Sequence, residues 1–501
     1  MAKEKNQQYF IGIDIGTGST KAIAMNSKGT IIADSQLYYT TQNRHPGYSE
    51  QDPEIIWEAF TNCIRKIVSL LKYPPVSISF SSAMHGLIAV NKEKKPISLL
   101  ITWADTRSEK IAEQIRNSKE AESIYKATGT PIHPMTPLCK IIWLRENQPS
   151  VFKNTFKFIS IKEFIWFRLF GFYEIDHSIA SATGLLNIKT LKWNKASLKL
   201  CGINEDELSE TKPTNFIRKN AEPSIVNSLS LSAETSFCIG ASDGCLANLG
   251  SYAIDKGTAA LTIGTSGAVR IANSKPVYNF KGMTFNYILD DKRFICGGPV
   301  NNGGNVIQWL FKTFLNIEKP SEEDYKKLFQ TIDLIPAGSK GLIFLPYLYG
   351  ERAPVWDGKS SGVFFGVRSF HTKNYFLRAA LEGICYSMKQ VLQIVESSTS
   401  KIEKIITGGG LIHSKTWMNI LADVTGKKLF VIETQDSSAV GAALLNMKAT
   451  KVIKNYSSLK PNINQIVKPD LKNHKRHEEN YAIFKNLYPA LKNSMHKLNF
   501  C

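Results

Sequence analysis

No stretch of this 501-residue chain approaches the roughly 18 uninterrupted apolar residues of a membrane span. The longest aromatic-rich run, Phe164–Phe172, carries Arg168 in its middle. The start, Met1–Gln8, is polar and charged and leads straight into a strand-like run, so no secretory leader is read there and a cytoplasmic protein is expected. Cysteines are few: Cys63, Cys139, Cys201, Cys238, Cys245, Cys296, Cys385 and Cys501. None forms a CxxC pair and no His stands at zinc-finger spacing beside them, which leaves reduced, mostly buried thiols. Acids are also scarce, 43 Asp and Glu against 62 Lys and Arg, for a net charge of +19. The excess is mostly Lys, spread thinly and densest after Met447, as at Lys472, Lys475 and Arg476. That is the pattern of a solvated helical face, and no nucleic-acid partner is expected from it. Neither GxxxxGK[ST] nor GxGxxG occurs, so a P-loop and a dinucleotide fingerprint are both excluded.

Apolar content of 43% and charged content of 21% are ordinary for a globular protein. The length suits two to four domains at about 150 residues each. Tyr9–Ile15 alternates with β-branched residues and meets the turn Gly16-Thr17-Gly18-Ser19, after which Lys21–Met25 returns as a second strand. A third strand follows Ser27-Lys28-Gly29. Pro53–Leu71 has helical spacing, with Trp57, Phe60, Ile64 and Ile67 on one face and Asp52-Pro53 as its start signal. Val76–Phe80 is the next strand. The segment Ile15–Ala24 then repeats as Ile263–Ala272, with Ile, Gly, Thr, Ile and Ala in place. An echo at about half the chain length, each time after a strand-like run, predicts two similar α/β halves with a boundary near residues 245–255.

Small, hydroxyl-rich turns at Gly16–Thr20 and Gly264–Gly267 can wrap phosphate oxygens with successive N–H groups, or can be plain hairpin turns. Gly408-Gly409-Gly410, after Ile405-Ile406 and before a predicted helix at Lys415–Thr425, is a third such turn. Asp14 lies inside an apolar strand, where a carboxylate is costly without a cation or donors; a metal-linked role and a satisfied structural role both fit. Asp243, just before the helix-like Leu246–Leu249, reads equally as an N-cap and as a general base. Ser82–Gly86 follows a strand, where α/β proteins place ligand loops. Trp103-Ala104-Asp105-Thr106-Arg107 offers an aromatic face, a carboxylate and a guanidinium to a polyhydroxylated ligand. Taken singly, His85 also reads as a satisfied buried imidazole, and Asp105 with Arg107 as a local ion pair.

Together these pieces resemble the FGGY family of carbohydrate kinases from about Tyr9 to Leu445. Met135–Asn147 fits the family's first signature at every constrained position. Gly362–Val367 through Ala379–Glu382 fits the second, except that Tyr375 stands where the family has a polar or acidic residue. The resemblance implies an α/β fold of two ribonuclease-H-like, actin-like ATPase domains with the active site in the cleft between them. It divides the chain into 1–248, 249–450 and a basic helical tail, 451–501, whose helix is expected at Glu478–Leu491. It also implies that Thr17, Gly18, Ser19, Thr20 and Lys21, with Thr265, Ser266 and Gly267, form two phosphate hairpins. Gly304 and Gln308 match nucleotide-contacting positions, and Gly408, Gly409 and Gly410 the adenosine motif. Asp14 corresponds to the metal-linked Asp, acting on Mg²⁺ through water, and Asp243 to the catalytic base.

Ala83-Met84-His85-Gly86 is similar to the loop of xylulose and gluconate kinases, and unlike the Arg–Glu pair of glycerol kinases. The segments Thr102–Arg107, Thr128–Pro137 and Asp176–Leu185 are similar to gluconate kinases in particular. The expected substrates are therefore D-gluconate and ATP. Met84, His85, Trp103, Asp105, Arg107, His133 and Asp243 are the expected sugar-site residues, and Arg107, His85 or His133 are expected to meet the carboxylate. A pentulose kinase, an actin-like ATPase without a sugar pocket and a non-catalytic sugar sensor are the rival readings. A homodimer is left open.

Overall fold

The computed structural model describes residues 8–432, 436–459 and 463–498; Cys501 and the polar start at 1–7 lie outside them. Two mixed sheets carry the fold. In the first, Tyr9–Ile15 pairs antiparallel with Ser19–Asn26, which pairs antiparallel with Ile31–Tyr38. On its other side Tyr9–Ile15 runs parallel to Ser77–Ser82, and that strand parallel to Ser236–Ser242. The second sheet repeats the order. Thr258–Ile263, Gly267–Asn273 and Arg293–Val300 are antiparallel neighbours, and Thr258–Ile263 runs parallel to Lys404–Gly408, beyond which lies Lys428–Val431. Phe285–Asp290 and Gln465–Val467 extend its two edges.

The strands form where apolar, β-branched residues alternate or run on. Every residue of Tyr9–Ile15 is buried except Asp14, which is half-buried. Helix Pro53–Leu71 starts where expected, its cap Asp52 accepting the Glu54 N–H. Helices Asp243–Gly250 and Ser437–Ala449 cross between the sheets, and their small residues let the backbones touch. A Cβ on Gly441 would lie 2.0 Å from the Leu246 carbonyl oxygen, and one on Gly12 2.0 Å from that of Ala439. One apolar cluster accordingly joins both halves: Phe10 and Ile23 from the first sheet, Phe285 and Tyr287 from the second, and Leu249 and Ala443 from the crossing helices.

The tail is built into the second half. Gln465–Val467 is a strand of its sheet, and helix Leu471–Met495 seats Tyr481 and Phe484 against Tyr386. That helix is longer than the expected Glu478–Leu491, because Asp470 caps it by accepting the N–H groups of Lys472 and Asn473. The seven described cysteines are buried and unpaired. Among the described residues no helix is long and apolar enough to cross a membrane.

Candidate active site

Strands Tyr9–Ile15, Ser77–Ser82 and Ser236–Ser242 run the same way, so their carboxyl ends open on one edge of the sheet, where α/β folds bind ligands. Asp14 stands there and accepts a 2.5 Å hydrogen bond from the Ser81 hydroxyl. Ser77–Ser82 runs two residues past the expected Val76–Phe80, which is what brings Ser81 to Asp14. Asp243 is not an N-cap. Ser242 is the cap, and Asp243 is the first helical residue, its carboxylate accepting the Gly244 N–H at 2.7 Å. Burial raises the Asp243 pKa, and the Arg270 guanidinium, arriving from the second sheet, opposes that rise. The Asp14 pKa stands well above the usual carboxylate range, first through burial and then through the charges of Asp436 and Asp243. Asp436 escaped the sequence reading because it has the pattern of an ordinary cap; its carboxylate accepts the Ala439 N–H at 3.0 Å. Asp14 thus feels the charges of two other carboxylates, an arrangement that fits a site for a cationic group. Among the described residues no three His, Cys, Asp or Glu side chains cluster closely enough to ligate a metal directly.

The first hairpin turn is closed by Gly16 N–H donating to the Ser19 carbonyl at 3.0 Å, and Gly18 at its tip faces open space. Thr17 is held from behind: Trp103 Nε1 donates to its hydroxyl at 2.9 Å and Gln51 Nε2 to its carbonyl at 2.5 Å. The Ser19 hydroxyl accepts from Gln36 Nε2 at 2.9 Å, and Lys21 stands opposite Asp14 in the strand register. The Thr20 side chain does not face the turn; it is buried, its hydroxyl 3.2 Å from the Tyr39 hydroxyl.

In the second hairpin Gly264 N–H donates to the Ser266 carbonyl at 2.8 Å, while Thr265 and Gly264 are exposed. Gly267 lies in the strand and is a packing glycine, since a Cβ would come within 2.9 Å of Met388 and Val300. Gly304 N–H donates to the Gly264 carbonyl at 2.7 Å, which seats helix Gly304–Leu315 on this turn. The exposed Gln308 donates its amide to the Tyr325 hydroxyl. Gly409 has φ +79°, and a Cβ there would lie 2.6 Å from the Ile263 carbonyl oxygen, so only glycine fits. Thr262, Arg270, Gly408, Gly409, Asp436 and Ser437 line a cavity of about 390 Å³.

The expected sugar loops converge on the same edge. Met84 packs at Gly244, where a Cβ would lie 2.9 Å from its methyl carbon. His85 Nδ1 donates to the Ala182 carbonyl at 2.7 Å and Nε2 accepts from the Tyr287 hydroxyl at 3.2 Å. Burial pushes its pKa down to about 3. His133 Nδ1 accepts the Met135 N–H at 3.2 Å, and burial with the nearby Arg352 charge holds its pKa well below the usual value. Burial thus disfavours the charged form of both rings, so either would meet a carboxylate through a neutral N–H.

Arg107 is engaged by acids of its own half. Its Nη2 pairs with Asp105 and Glu50 at 2.7 Å each, Asp105 also accepts the Ser49 N–H at 2.7 Å, and the guanidinium lies 3.6 Å over the Tyr48 ring. The ion pair builds the loop that presents Trp103. Sequence reasoning missed Lys140, wholly buried inside the first signature, whose Nζ donates to the carbonyls of His85 at 2.6 Å and Thr102 at 2.7 Å.

The model of the FGGY family of carbohydrate kinases, N-terminal domain, matches residues 9–250, and that of its C-terminal domain residues 259–450. The chain belongs to the FGGY family of carbohydrate kinases. This FGGY kinase is 40% identical to the gluconokinase of Bacillus subtilis (strain 168), over 90% of this chain and 89% of the relative. It is 39% identical to the gluconokinase of Bacillus licheniformis, over 97% of this chain and 96% of the relative. With the xylulose kinase of Bacillus subtilis (strain 168) the identity is 27%, over 97% of each chain. The crystal structure of gluconate kinase from Lactobacillus acidophilus superposes with a TM-score of 0.94 at 31% identity, covering 98% of this chain and all of that one. The FGGY kinase is thus a phosphotransferase that uses ATP and an alcohol acceptor, on a two-domain actin-like fold.

Proposed function

We propose that this FGGY kinase transfers the γ-phosphoryl group of ATP to the 6-hydroxyl of D-gluconate, giving 6-phosphogluconate. The observation that carries the reading is convergence at one strand edge: Asp243, the loops of Met84 and Trp103, and the first glycine turn, which Trp103 bonds directly through Thr17. Gluconate is favoured over xylulose by the gap between 40% and 27% identity to the respective Bacillus subtilis kinases. The superposition does not separate them, since xylulose kinase from Lactobacillus acidophilus also gives a TM-score of 0.94, at 32% identity. We place the domain boundary at residue 248 and the reaction in the cytoplasm, where ATP is supplied.

Phosphoryl transfer asks the protein mainly for positioning and charge. The glycine turns at Gly16–Ser19 and Gly264–Ser266 offer N–H groups and hydroxyls to the phosphates, and the cavity at Gly408 and Gly409 receives the nucleoside. Asp243 accepts the proton of the attacking hydroxyl. In a loose transition state that proton leaves late, so a carboxylate suffices as base. Asp14 and Asp436 would hold Mg²⁺ through water, and the bound ion would offset phosphate charge.

A coupled ADP-release assay with MgATP tests the assignment against D-gluconate, D-xylulose, glycerol and a no-sugar control. Turnover highest with gluconate is expected. A preference for xylulose would leave the base in place and overturn the substrate, and turnover indifferent to every sugar would overturn the kinase reading.

A further inference from the structure

A buried cation stands on the sugar side of the cleft that no part of the mechanism above uses. Arg352 lies in the loop Glu351–Asp357 of the second half and is 8% exposed. Its Nε donates to Asn301 Oδ1 at 2.7 Å and its Nη2 to the Val300 carbonyl at 3.2 Å, both neutral partners. The adjacent Glu351 makes no ion pair with the guanidinium; its carboxylate accepts from Asn301 N–H, from Asn302 and from the Arg352 main-chain N–H. Among the described residues Arg352 has no carboxylate within ion-pair distance, and its Nη1 makes no hydrogen bond. A buried guanidinium whose side-chain hydrogen-bond partners are all neutral is costly, the Glu351 charge offsets only part of that cost, and the arrangement fits a site completed by an anion.

Its neighbours say which anion. The guanidinium lies 5.3 Å from the centre of the Trp103 ring, and Trp356 of the same loop meets the His133 ring at 5.4 Å between centres. The loop thus covers the sugar loops of the first half at two points. Arg352 is also the strongest cationic influence on His133. Arg270, by contrast, is the cation that faces Asp243, where the accepting hydroxyl belongs. In a six-carbon sugar acid phosphorylated at one end, the carboxylate lies at the other. With burial disfavouring the charged forms of His85 and His133 and with Arg107 paired, Arg352 is the cation left for it.

We propose that Arg352 binds the carboxylate of the sugar acid and so selects sugar acids over neutral polyols, a role that rests on the gluconate reading above. Arginine suits it, because a planar fork meets a carboxylate with two parallel hydrogen bonds.

The test compares D-gluconate with D-gluconamide, its neutral isostere, on wild type, Arg352→Gln and Arg352→Lys, recording kcat and KM for sugar and for ATP. Wild type should prefer gluconate by at least about tenfold in kcat/KM, the scale of a charge-assisted contact. Arg352→Gln should bring that ratio close to one, chiefly through KM for gluconate, with KM for ATP within about twofold. Arg352→Lys should keep part of the preference, which also serves should the Gln variant fail to fold. A merely structural role would weaken both sugars alike and leave the ratio intact, which would overturn the proposal. A rise confined to KM for ATP would overturn it in favour of a phosphate contact. Wild type inactive on gluconate would instead overturn the substrate reading, a separate outcome.

Discussion

Asp243 is held between opposing influences: burial raises its pKa, and Arg270 across the cleft lowers it. A base must be ionised to accept a proton, so Arg270 widens the acidic range over which Asp243 works. Arg270→Met removes the opposing charge, the Asp243 pKa rises further, and the acid limb of log(kcat/KM) against pH moves to higher pH. An unmoved limb would show that Arg270 does not act on the base. Asp243→Asn keeps the shape and removes the acceptor; kcat should fall by about 10²–10⁴-fold, with ATP affinity, read by equilibrium binding, nearly unchanged. An Asn variant with near-native kcat would remove Asp243 from the role. Single residues of this kind were only half legible. Asp14 and Asp243 stood out as carboxylates in apolar or small-residue surroundings. Nothing near His85 in sequence reveals that Tyr287, 202 residues on, supplies its second hydrogen bond. Nor does anything mark Arg270 and Arg352 as cations brought to the cleft by the second half.

Elements were more legible than residues where local rules set both ends. Helices Pro53–Leu71 and Lys415–Thr425 keep the predicted bounds; they begin at the caps Asp52 and Ser414 and end at left-handed residues, Lys72 and Gly426. The tail helix starts seven residues before the expected Glu478, and the added stretch after Leu471, Lys472 to His477, is polar and carries no apolar stripe. The sugar loops gave the weakest local signal, since tertiary ties hold them. Lys140 is the chief tie, bonding the His85 and Thr102 carbonyls from below, and it supports the left-handed His85, with φ 66°. Burial pushes the Lys140 pKa down to about 7, so the amine is retained for its hydrogen bonds at a cost in desolvation. Lys140→Met should therefore loosen both loops together. The expected result is a rise in KM for the sugar of roughly tenfold, as for loss of a buried hydrogen-bonded anchor, while KM for ATP stays within about twofold. A proportional loss for both substrates would mean that Lys140 supports the domain at large.

At the scale of the molecule the repeat of Ile15–Ala24 at Ile263–Ala272 reports two sheets with the same strand order, and that much was legible because each hairpin is a local motif. The join between the halves was not, because it depends on how closely two backbones approach. Helix Ser437–Ala449 leaves the second half to pack on strand Tyr9–Ile15 and on helix Asp243–Gly250, and at its N-terminus Asp436 reaches the cleft. The crossing works only with glycine at three points: a Cβ would lie 2.0 Å from a carbonyl oxygen at Gly12 and Gly441, and 1.9 Å from one at Gly250. These contacts are to backbone, which cannot swing aside as a side chain can. Gly441→Ala should therefore force the two helices apart, costing about 1–3 kcal/mol of stability by overpacking. The same displacement moves Asp243 at one helix start relative to Asp436 at the other. Urea unfolding should show the loss, and steady-state kinetics should show KM for sugar and for ATP rising together. That joint rise separates a change in the angle between the halves from the sugar-only effect of Lys140→Met. If Gly441→Ala lowered stability but left both KM values alone, the crossing would be a structural seam with no hold on the cleft.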